Sequence, residues 1–250
     1  MRTSNSSIQT FKRCPRLWEL QYKFGVRPTT ISKPLETGLS YHDKVEQLIR
    51  NGQFTADGDP KTDAMAFAFK RYALPKIKEH YVPEVWFEYQ TKGGNIIVGR
   101  FDAVGDNSIL EHKSTSGRVD GAYWAGIELD EQLLTYMMAS GKNRALYTVC
   151  QKPTLRKSQN ETSLEFAERC KKWYETDTDY KIAVSSIVHT QEDIERHESE
   201  VDAICGVIEN CNFFYRNTAF CKHWGKRCEY AQICREYDPE KTYIGFERKE

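Results

Sequence analysis

Apolar side chains in the first eighty residues recur at intervals of three and four, which is the spacing of amphipathic helices. The pattern predicts helices over residues 4–24, 37–50 and 61–80. Pro15 lies inside the first of these, and proline cannot donate the backbone hydrogen bond of a helix interior. We therefore expect the first helix to begin or kink at Pro15.

The period then changes from helical spacing to alternation, which is typical of β-strands. Val85, Phe87 and Tyr89 alternate with polar or exposed-type residues, and turn-forming residues follow at 93–95 and 105–107. The pattern predicts three consecutive strands that form a meander, over residues 85–89, 96–104 and 108–113.

The remainder of the chain alternates between helical and strand-like patterns. It predicts helices over 130–140, 160–175 and 191–216, and strands over 145–151 and 180–189. This order indicates an α/β protein with a central mixed sheet flanked by helices. Because the connections are short, we expect residues 1–250 to form a single domain with a small cysteine-bound appendage at 221–234.

Composition narrows the class of protein. The charged fraction is 29%, mean hydropathy is −0.69, and no apolar run approaches the roughly 20 residues that span a bilayer. The first residues lack the apolar stretch of a signal peptide, so we expect a cytoplasmic protein without membrane contact. The formal net charge is zero, which by itself counts mildly against nucleic-acid binding.

Acidic residues fall at the ends of two predicted strands, in the stretch GRFDAVGDNSILEHKST. If strands 96–104 and 108–113 pair through their turn, Asp102 and Glu111 lie close together. Two such carboxylates can bind Mg²⁺ or Mn²⁺, and Lys113, two residues from Glu111, can place an ammonium on the same strand face. On spacing alone, a solvated hairpin with a few surface charges is the more ordinary explanation of the pattern.

The eight cysteines are unevenly distributed along the chain. Cys221, Cys228 and Cys234 fall within fourteen residues, and Cys14 lies near the N-terminus. A cytosolic chain does not keep structural disulfides, so this clustering suggests metal ligation. Four others lie in apolar surroundings and are expected to be small buried hydrophobic residues, namely Cys150, Cys170, Cys205 and Cys211.

Asp102 followed by Glu111-His112-Lys113 resembles the signature of the PD-(D/E)XK nuclease superfamily. More narrowly, the chain resembles the RecB-like branch, which includes phage exonucleases and the iron–sulfur exonucleases of CRISPR adaptation. Further resemblances follow in family order. They are SSIQTFKRCPRLWEL, GLSYHDKVE with His42, DEQLLTYMMA with Gln132 and Tyr136, and CKHWGKRCEYAQIC.

The resemblance implies a restriction-endonuclease-like core and assigns roles to these residues. It implies that His42, Asp102, Glu111 and the backbone carbonyl of His112 hold Mg²⁺ or Mn²⁺, and that Lys113 positions water or stabilises the transition state. Gln132 and Tyr136 would line the active site. Glu84 is a lesser candidate for the acidic residue that often precedes the aspartate in this family, and Glu88 is the alternative to it. The ordinary alternative for each position is a core or surface residue without a catalytic role.

The resemblance also implies a 4Fe-4S cluster held by Cys14, Cys221, Cys228 and Cys234, which would staple the C-terminal tail to the first helix. The sequence departs from the family here, because it lacks the usual C-x-x-C step. A zinc site that uses His223, and purely structural thiols, remain open.

The sequence therefore predicts a metal-dependent deoxyribonuclease, an exonuclease rather than an endonuclease, that acts in recombination, DNA processing or CRISPR adaptation in a bacterial or phage-infected cell. DNA is the expected partner, with other recombination or CRISPR-adaptation proteins as further partners. No G-x-x-x-x-G-K-[ST] motif is present, so no ATP-driven motor is expected. The alternatives are a non-catalytic DNA- or partner-binding module of the same fold and a regulatory zinc protein.

Overall fold

The structure is a computed structural model that describes residues 1–30, 32–223, 226–239 and 241–249. The chain divides into two compact units. The cysteine unit comprises Met1–Ser32, Glu88–Gly99 and Glu198–Glu250, and the carboxylate unit comprises Lys33–Phe87 and Arg100–His197. The assignment of the chain to a single domain stays a prediction.

Eight α-helices occur among the described residues, and several continue into π or 3₁₀ turns. They are α1 (Asn5–Arg13), α2 (Pro15–Trp18), α3 (Lys33–Asn51), α4 (Pro60–Ala68), α5 (Gly121–Ile127), α6 (Glu131–Ser140), α7 (Ser163–Lys172) and α8 (Gln191–Glu209). None of the described helices is both long enough and apolar enough to cross a membrane.

The same part of the chain contains ten β-strands. They are β1 (Arg2–Thr3), β2 (Val26–Pro28), β3 (Tyr81–Gln90), β4 (Ile96–Gly105), β5 (Ile109–Thr115), β6 (Arg144–Gln151), β7 (Ile182–Val188), β8 (Lys222–His223), β9 (Lys226–Arg227) and β10 (Phe246–Arg248).

Six strands form one mixed sheet in the order β1-β4-β5-β6-β7, with β3 also paired to β4. β4 and β5 are antiparallel, β5 and β6 are parallel, and β6 and β7 are antiparallel. A parallel neighbour on one side and an antiparallel neighbour on the other is the arrangement of a mixed α/β fold. The predicted fold class, a central mixed sheet flanked by helices, is confirmed.

The core of the carboxylate unit explains why α3 and α4 lie where they do. Tyr41, Val45 and Leu48 on α3 are buried together with Met65 and other apolar residues of α4. α4 begins after Asp59, whose side chain accepts hydrogen bonds from two backbone N–H groups of the first turn. Burial of these large side chains, each worth about 1.5–3 kcal/mol, fixes α3 against the remainder of this unit.

Four predicted helices are shorter than expected, namely those over 4–24, 61–80, 160–175 and 191–216. The first is interrupted because Cys14 has an extended backbone, with φ −162° and ψ 108°, and Pro15 then begins α2 at a position where no backbone donor is needed. The prediction of a break near Pro15 is therefore confirmed. The helix predicted over 191–216 ends at Glu209, because Phe214 turns away to stack on Trp18.

The cysteines expected to be buried behave as predicted at three positions. Cys150, Cys170 and Cys205 are buried, and Cys211 is only half-buried. The prediction for Cys211 was wrong because α8 ends two residues earlier, so that Cys211 lies beyond the packed face of that helix.

Candidate active site

Asp102 and Glu111 meet because of the register of β4 and β5. The antiparallel pairs Ala103–Leu110 and Val104–Ile109 place Asp102 and Glu111 next along their strands. The Asp102 carboxylate accepts a hydrogen bond of 2.8 Å from the backbone N–H of His112. Glu111 is 1% exposed, so this end of the hairpin is buried, and the interpretation of the stretch as a solvated hairpin was wrong.

Lys113 is held between β5 and α6. Its ammonium contacts the Glu111 carboxylate directly and donates a 2.7 Å hydrogen bond to Gln132 Oε1. Gln132 Nε2 donates to the hydroxyl of Tyr136 at 2.8 Å, and that hydroxyl donates to the backbone carbonyl of Arg100 at 2.8 Å. The chain of hydrogen bonds fixes the position of the Lys113 nitrogen relative to both strands.

The two histidines expected near the metal occupy different environments. His42 on α3 places Nδ1 3.6 Å from Asp102 Oδ1, and its side chain is partly exposed. The His112 ring is buried, with Nδ1 2.8 Å from the hydroxyl of Thr148 and its ring centre 6.3 Å from that of His42. The structure therefore brings the backbone of His112, rather than its ring, to Asp102.

Glu84 belongs to this site, and Glu88 does not. Glu84 pairs with Arg100, and its backbone has a positive φ of 60°, a strained conformation for a residue with a side chain. Burial raises the pKa of Glu84, while the charge of Arg100 lowers it and that of Asp102 raises it. Glu88 instead pairs with Arg2 in the cysteine unit and is about half-exposed.

The pKa values of the two central carboxyl groups, Asp102 and Glu111, are shifted in opposite directions. Burial tends to raise the pKa of Asp102, but the hydrogen bond and charge of His42, with the backbone of His112, lower it well below its usual range. Burial and the charge of Asp102 raise the pKa of Glu111, although Lys113 acts in the opposite direction. The protein therefore stabilises Asp102 as a carboxylate, whereas burial favours the protonated form of Glu111.

Burial and neighbouring charges also shift the pKa values of the basic groups in the site. Burial works against the charge of Lys113, but Glu111 outweighs it and raises the pKa of the amine. Asp102 likewise raises the pKa of His42 against the effect of burial. Burial lowers the pKa of His112 to about 3, so its ring is neutral at physiological pH.

The donor set is chemically suited to a divalent metal ion. Glu111 Oε2 is buried and has no hydrogen-bond partner among the described residues. Such an atom costs free energy unless it is paired, and carboxylate oxygens are the ligands that Mg²⁺ prefers. Within the part of the chain that is described, no three His, Cys, Asp or Glu side chains are already close enough to hold one ion.

Four cysteines of the cysteine unit border one cavity, although no three of the described Cys, His, Asp or Glu side chains are close enough to hold one ion. Cys14, Cys221, Cys228 and Cys234 line one cavity of about 200 Å³, together with arginines and apolar residues. All four are free thiols. The side chain of His223, the alternative zinc ligand, lies outside the described residues.

Backbone contacts fix the loops that carry these thiols. The backbone N–H of Asn217 lies 3.4 Å from Cys14 Sγ, and that of Cys228 donates to the carbonyl of Cys221 at 2.9 Å. Burial and the neighbouring thiols of Cys221, Cys234 and Cys14 raise the pKa of Cys228. The thiols are therefore close enough to act on one another electrostatically.

The sequence interpretation missed two residues that shape the site. Arg100 pairs with Glu84, and Thr148 on β6 holds the ring of His112. Arg100 could have been found from its position two residues before Asp102 on the same strand. Thr148 could not, because nothing local in the sequence reveals which strand pairs with β5.

Comparison with known proteins gives three kinds of finding. A family model described as the PD-(D/E)XK nuclease superfamily matches residues 2–235. No curated protein matches the chain.

Several solved structures are similar to it. An alkaline exonuclease from Laribacter hongkongensis is 15% identical, covering 72% of this chain and 82% of that one, with a TM-score of 0.36. A protein named SSO0001 is 14% identical, covering 91% and 84%, with a TM-score of 0.45. A phage-related exonuclease from Haemophilus somnus 129PT is 12% identical, covering 84% and 96%, with a TM-score of 0.37.

Proposed function

Because the chain belongs to the PD-(D/E)XK nuclease superfamily, we propose that it is a metal-dependent deoxyribonuclease whose active site is formed by Asp102, Glu111 and Lys113. Nucleases of this superfamily typically use divalent metals such as Mg²⁺. We propose Mg²⁺ or Mn²⁺ as the metal, DNA as the substrate and exonuclease rather than endonuclease action. The activity would take place in the cytoplasm of a bacterial or phage-infected cell.

One observation carries this proposal. The buried carboxylate of Glu111 and the half-buried side chains of Asp102 and Lys113 converge at the end of β4 and β5, and Glu111 Oε2 has no hydrogen-bond partner among the residues described. A fold that needed only stability would not be expected to bury an unpaired carboxylate oxygen, which costs about 1–3 kcal/mol. A site that binds a cation gains from it.

The metal would be held by Asp102, Glu111, His42 and the backbone carbonyl of His112. When bound, it supplies positive charge that stabilises the negative charge developing on the attacked phosphate. His42 lies 3.6 Å from Asp102 and is partly exposed, so its imidazole can turn toward an ion without unfolding α3.

Lys113 is proposed to orient the attacking water and to neutralise charge in the transition state. It can do so because Gln132 and Tyr136 hold its ammonium in place through hydrogen bonds of 2.7 and 2.8 Å. A preorganised cation is worth more than a mobile one, because no reorganisation is needed during the reaction. Gln132 and Tyr136 are therefore proposed as positioning residues.

We further propose that Cys14, Cys221, Cys228 and Cys234 hold a 4Fe-4S cluster, which would place the protein in the RecB-like branch. The support is that all four thiols line one cavity of about 200 Å³, well above the roughly 30 Å³ of one water molecule. Four cysteine thiolates are the ligand set of such clusters, and the N–H of Asn217 near Cys14 Sγ is the kind of hydrogen bond that tunes them.

The biological setting is proposed from the same branch. Stand-alone nucleases of this kind act in recombination, DNA processing or CRISPR adaptation, and other proteins of those pathways would be the partners. If the next experiment finds DNA binding without cleavage, the alternative function, a non-catalytic DNA-binding module of the same fold, is supported instead.

The test of the nuclease proposal uses DNA labelled at either the 5′ or the 3′ end. We expect cleavage with Mg²⁺ or Mn²⁺, none in chelator, and loss of cleavage in Asp102→Asn. The matched control is Asp106→Asn, an exposed acidic residue in the turn after β4. Binding without cleavage under every metal condition would contradict the proposal.

The test of the cluster proposal is anaerobic purification followed by an absorbance spectrum and an iron count. We expect visible absorbance and about four irons per chain. Cys228→Ser should lose both, whereas Cys211→Ser should keep them, because Cys211 does not line the cavity. Colourless protein that contains zinc would contradict the assignment.

A further inference from the structure

Two large aromatic side chains of the cysteine unit are exposed side by side. Phe213 is 79% exposed and Tyr215 is 57% exposed, whereas Phe214 between them is half-buried. Single exposed apolar residues are ordinary on a protein surface. Packing does not explain two exposed rings on either side of the half-buried Phe214.

The segment that carries these rings is fixed in place from both sides. Phe214 stacks on Trp18 at 5.4 Å with an interplanar angle of 12°, and the amine of Lys23 lies 4.8 Å from the ring centre of Phe214. The carbonyl of Tyr215 accepts a 3.0 Å hydrogen bond from the backbone of Arg16. Phe213 and Tyr215 are therefore displayed by an ordered backbone, so that binding would not have to order it.

The side chain of Asn217 completes this anchoring. Its Nδ2 donates a 3.0 Å hydrogen bond to the backbone carbonyl of Arg13. Asn212, Phe213, Tyr215 and Arg216 are exposed, whereas Phe214 and Asn217 are half-buried. The two exposed rings therefore lie on either side of Phe214, which anchors the segment to Trp18.

Positive charge lies beside Phe213, one of the two exposed rings. A cleft of about 320 Å³ beside Phe213 is lined by Arg16, Arg216 and Arg235. Its lining also includes Glu19, whose carboxylate is already paired with Arg16. Because the whole chain has a net charge of zero, this local excess of arginine is a property of the surface rather than of the composition.

We infer that Phe213 and Tyr215, with Arg216 and Arg235, form a binding surface for single-stranded DNA. Unpaired bases stack on exposed rings, and arginines contact the phosphates between them, which is how proteins bind single strands without reading sequence. A duplex keeps its bases stacked on one another and cannot use the rings in this way. The inference rests on the proposed function in that DNA is the substrate.

The test is fluorescence anisotropy with a labelled thymidylate oligonucleotide of roughly 15 nucleotides, in buffer without divalent metal so that cleavage plays no part. Phe213→Ala and Tyr215→Ala should each raise the dissociation constant about fivefold or more. Phe213→Trp should restore binding, because it keeps an aromatic face. Leu164→Ala, which removes a 74%-exposed apolar side chain from α7, should have no effect.

Salt dependence tests the role of the arginines. Arg216→Gln should reduce the slope of log affinity against log salt by about 0.7, the value for one lost phosphate contact on a single strand. Ring variants should weaken binding without changing that slope. All variants should unfold at the wild-type temperature, because the substituted side chains are exposed.

Wild-type binding by Phe213→Ala and Tyr215→Ala would overturn the inference, and would leave the rings to a protein partner. Equal competition by a duplex of the same length would overturn it as well. Protein that binds through the rings but never cleaves would uphold this surface and contradict the proposed nuclease. If the protein cleaves DNA but the ring variants bind as tightly as wild type, the proposed nuclease is upheld and this binding surface is contradicted.

Discussion

The carboxylate site and the cysteine cavity are both proposed ligand sites, but they are built differently. Asp102, Glu111 and Lys113 lie on two paired strands, and hydrogen bonds from α6 fix them without any ion. Cys14 caps the start of α2. The other three cysteines lie in the loops before and after the two-residue strands β8 and β9. Asn217 and Cys14, which touch there, are 203 residues apart in sequence.

The difference indicates which site depends on its ligand. A site on a regular sheet is preformed, so ion binding changes its chemistry more than its folding. The loops that carry the four thiols come from distant parts of the sequence, and metal ligation that joined them would supply folding free energy. We therefore expect the cysteine unit to lose stability with its cluster, and the carboxylate unit to keep its stability without metal.

The largest expected effect is on the cysteine unit. Cys228→Ser should lower the unfolding temperature of that unit by about 10 °C, because loss of several kcal/mol of ligation energy shifts a chain of this size by that amount. Differential scanning calorimetry under anaerobic conditions measures it. Cys211→Ser is the control, and an equal fall in both variants would show that the cavity has no special role.

A smaller effect should come from the buried ion network of α3. Lys44 is 1% exposed, contacts Asp57 at 2.7 Å and Asp63 at 3.1 Å, and donates to Ser40 and Thr62. Lys44→Met should cost about 2–3 kcal/mol, since it leaves these acceptors without their cation.

This loss should be the same with and without metal or chelator, because Lys44 acts through protein groups alone. Arg50→Met, on the same helix, removes an exposed pair with Glu46 and should cost less than about 0.5 kcal/mol. Chemical denaturation measures both variants. A Lys44→Met effect that disappears on metal removal would contradict the idea that the carboxylate unit is stable by itself.

A third effect concerns activity without loss of stability. Gln132→Ala removes the acceptor that orients Lys113, so the cleavage rate should fall about tenfold, equivalent to 1.4 kcal/mol. The fall should appear in the single-turnover rate, with DNA affinity unchanged. Gln132→Glu, which keeps an acceptor oxygen, should retain more activity than the alanine variant, and the opposite order would reject a positioning role.

The smallest effect is a pH dependence within the cysteine unit. Asp202 accepts hydrogen bonds from Gly93 N at 2.7 Å and Asn95 Nδ2 at 2.8 Å, and it also contacts Thr91. Burial acts to raise the pKa of Asp202, but these hydrogen bonds lower it. Its contribution is therefore present above the unfolded pKa of about 3.9 and is lost as the pH falls through the lower folded value.

Asp202→Ala should accordingly reduce stability by about 1 kcal/mol at pH 7, and the difference from wild type should shrink below about pH 4. Thermal unfolding of both proteins across this range measures it. A constant difference at every pH would show that the carboxylate charge plays no part. This contribution should persist in cluster-free protein, which separates hydrogen-bond stabilisation from ligation in the same unit.

Sequence patterns predicted more of the carboxylate site than of the cysteine unit, for a physical reason. Asp102 and Glu111 are joined by a short hairpin, so strand alternation and one turn are enough to bring them together. His42 and Gln132 come from α3 and α6, and their approach to the hairpin was implied only by the resemblance to the nuclease family. The structure brings all four together, and their catalytic roles stay predictions.

The cysteine unit was harder because its contacts are not local. Nothing in the sequence around Phe213 and Tyr215 shows that α8 stops at Glu209, because no glycine or proline ends the helical pattern there. The stacking of Phe214 on Trp18 outweighs that weak propensity. The short strands β1, β2 and β10 were also missed, because two or three residues do not establish a period.

The most direct test of the central claim is the single-turnover rate of DNA cleavage by Lys113→Ala in saturating Mn²⁺, measured beside its Mn²⁺ affinity. Our account predicts a rate at least about 100-fold lower than that of wild type, with Mn²⁺ still bound through Asp102 and Glu111. Cleavage at the wild-type rate would contradict it, because Lys113 could then have no part in stabilising the transition state.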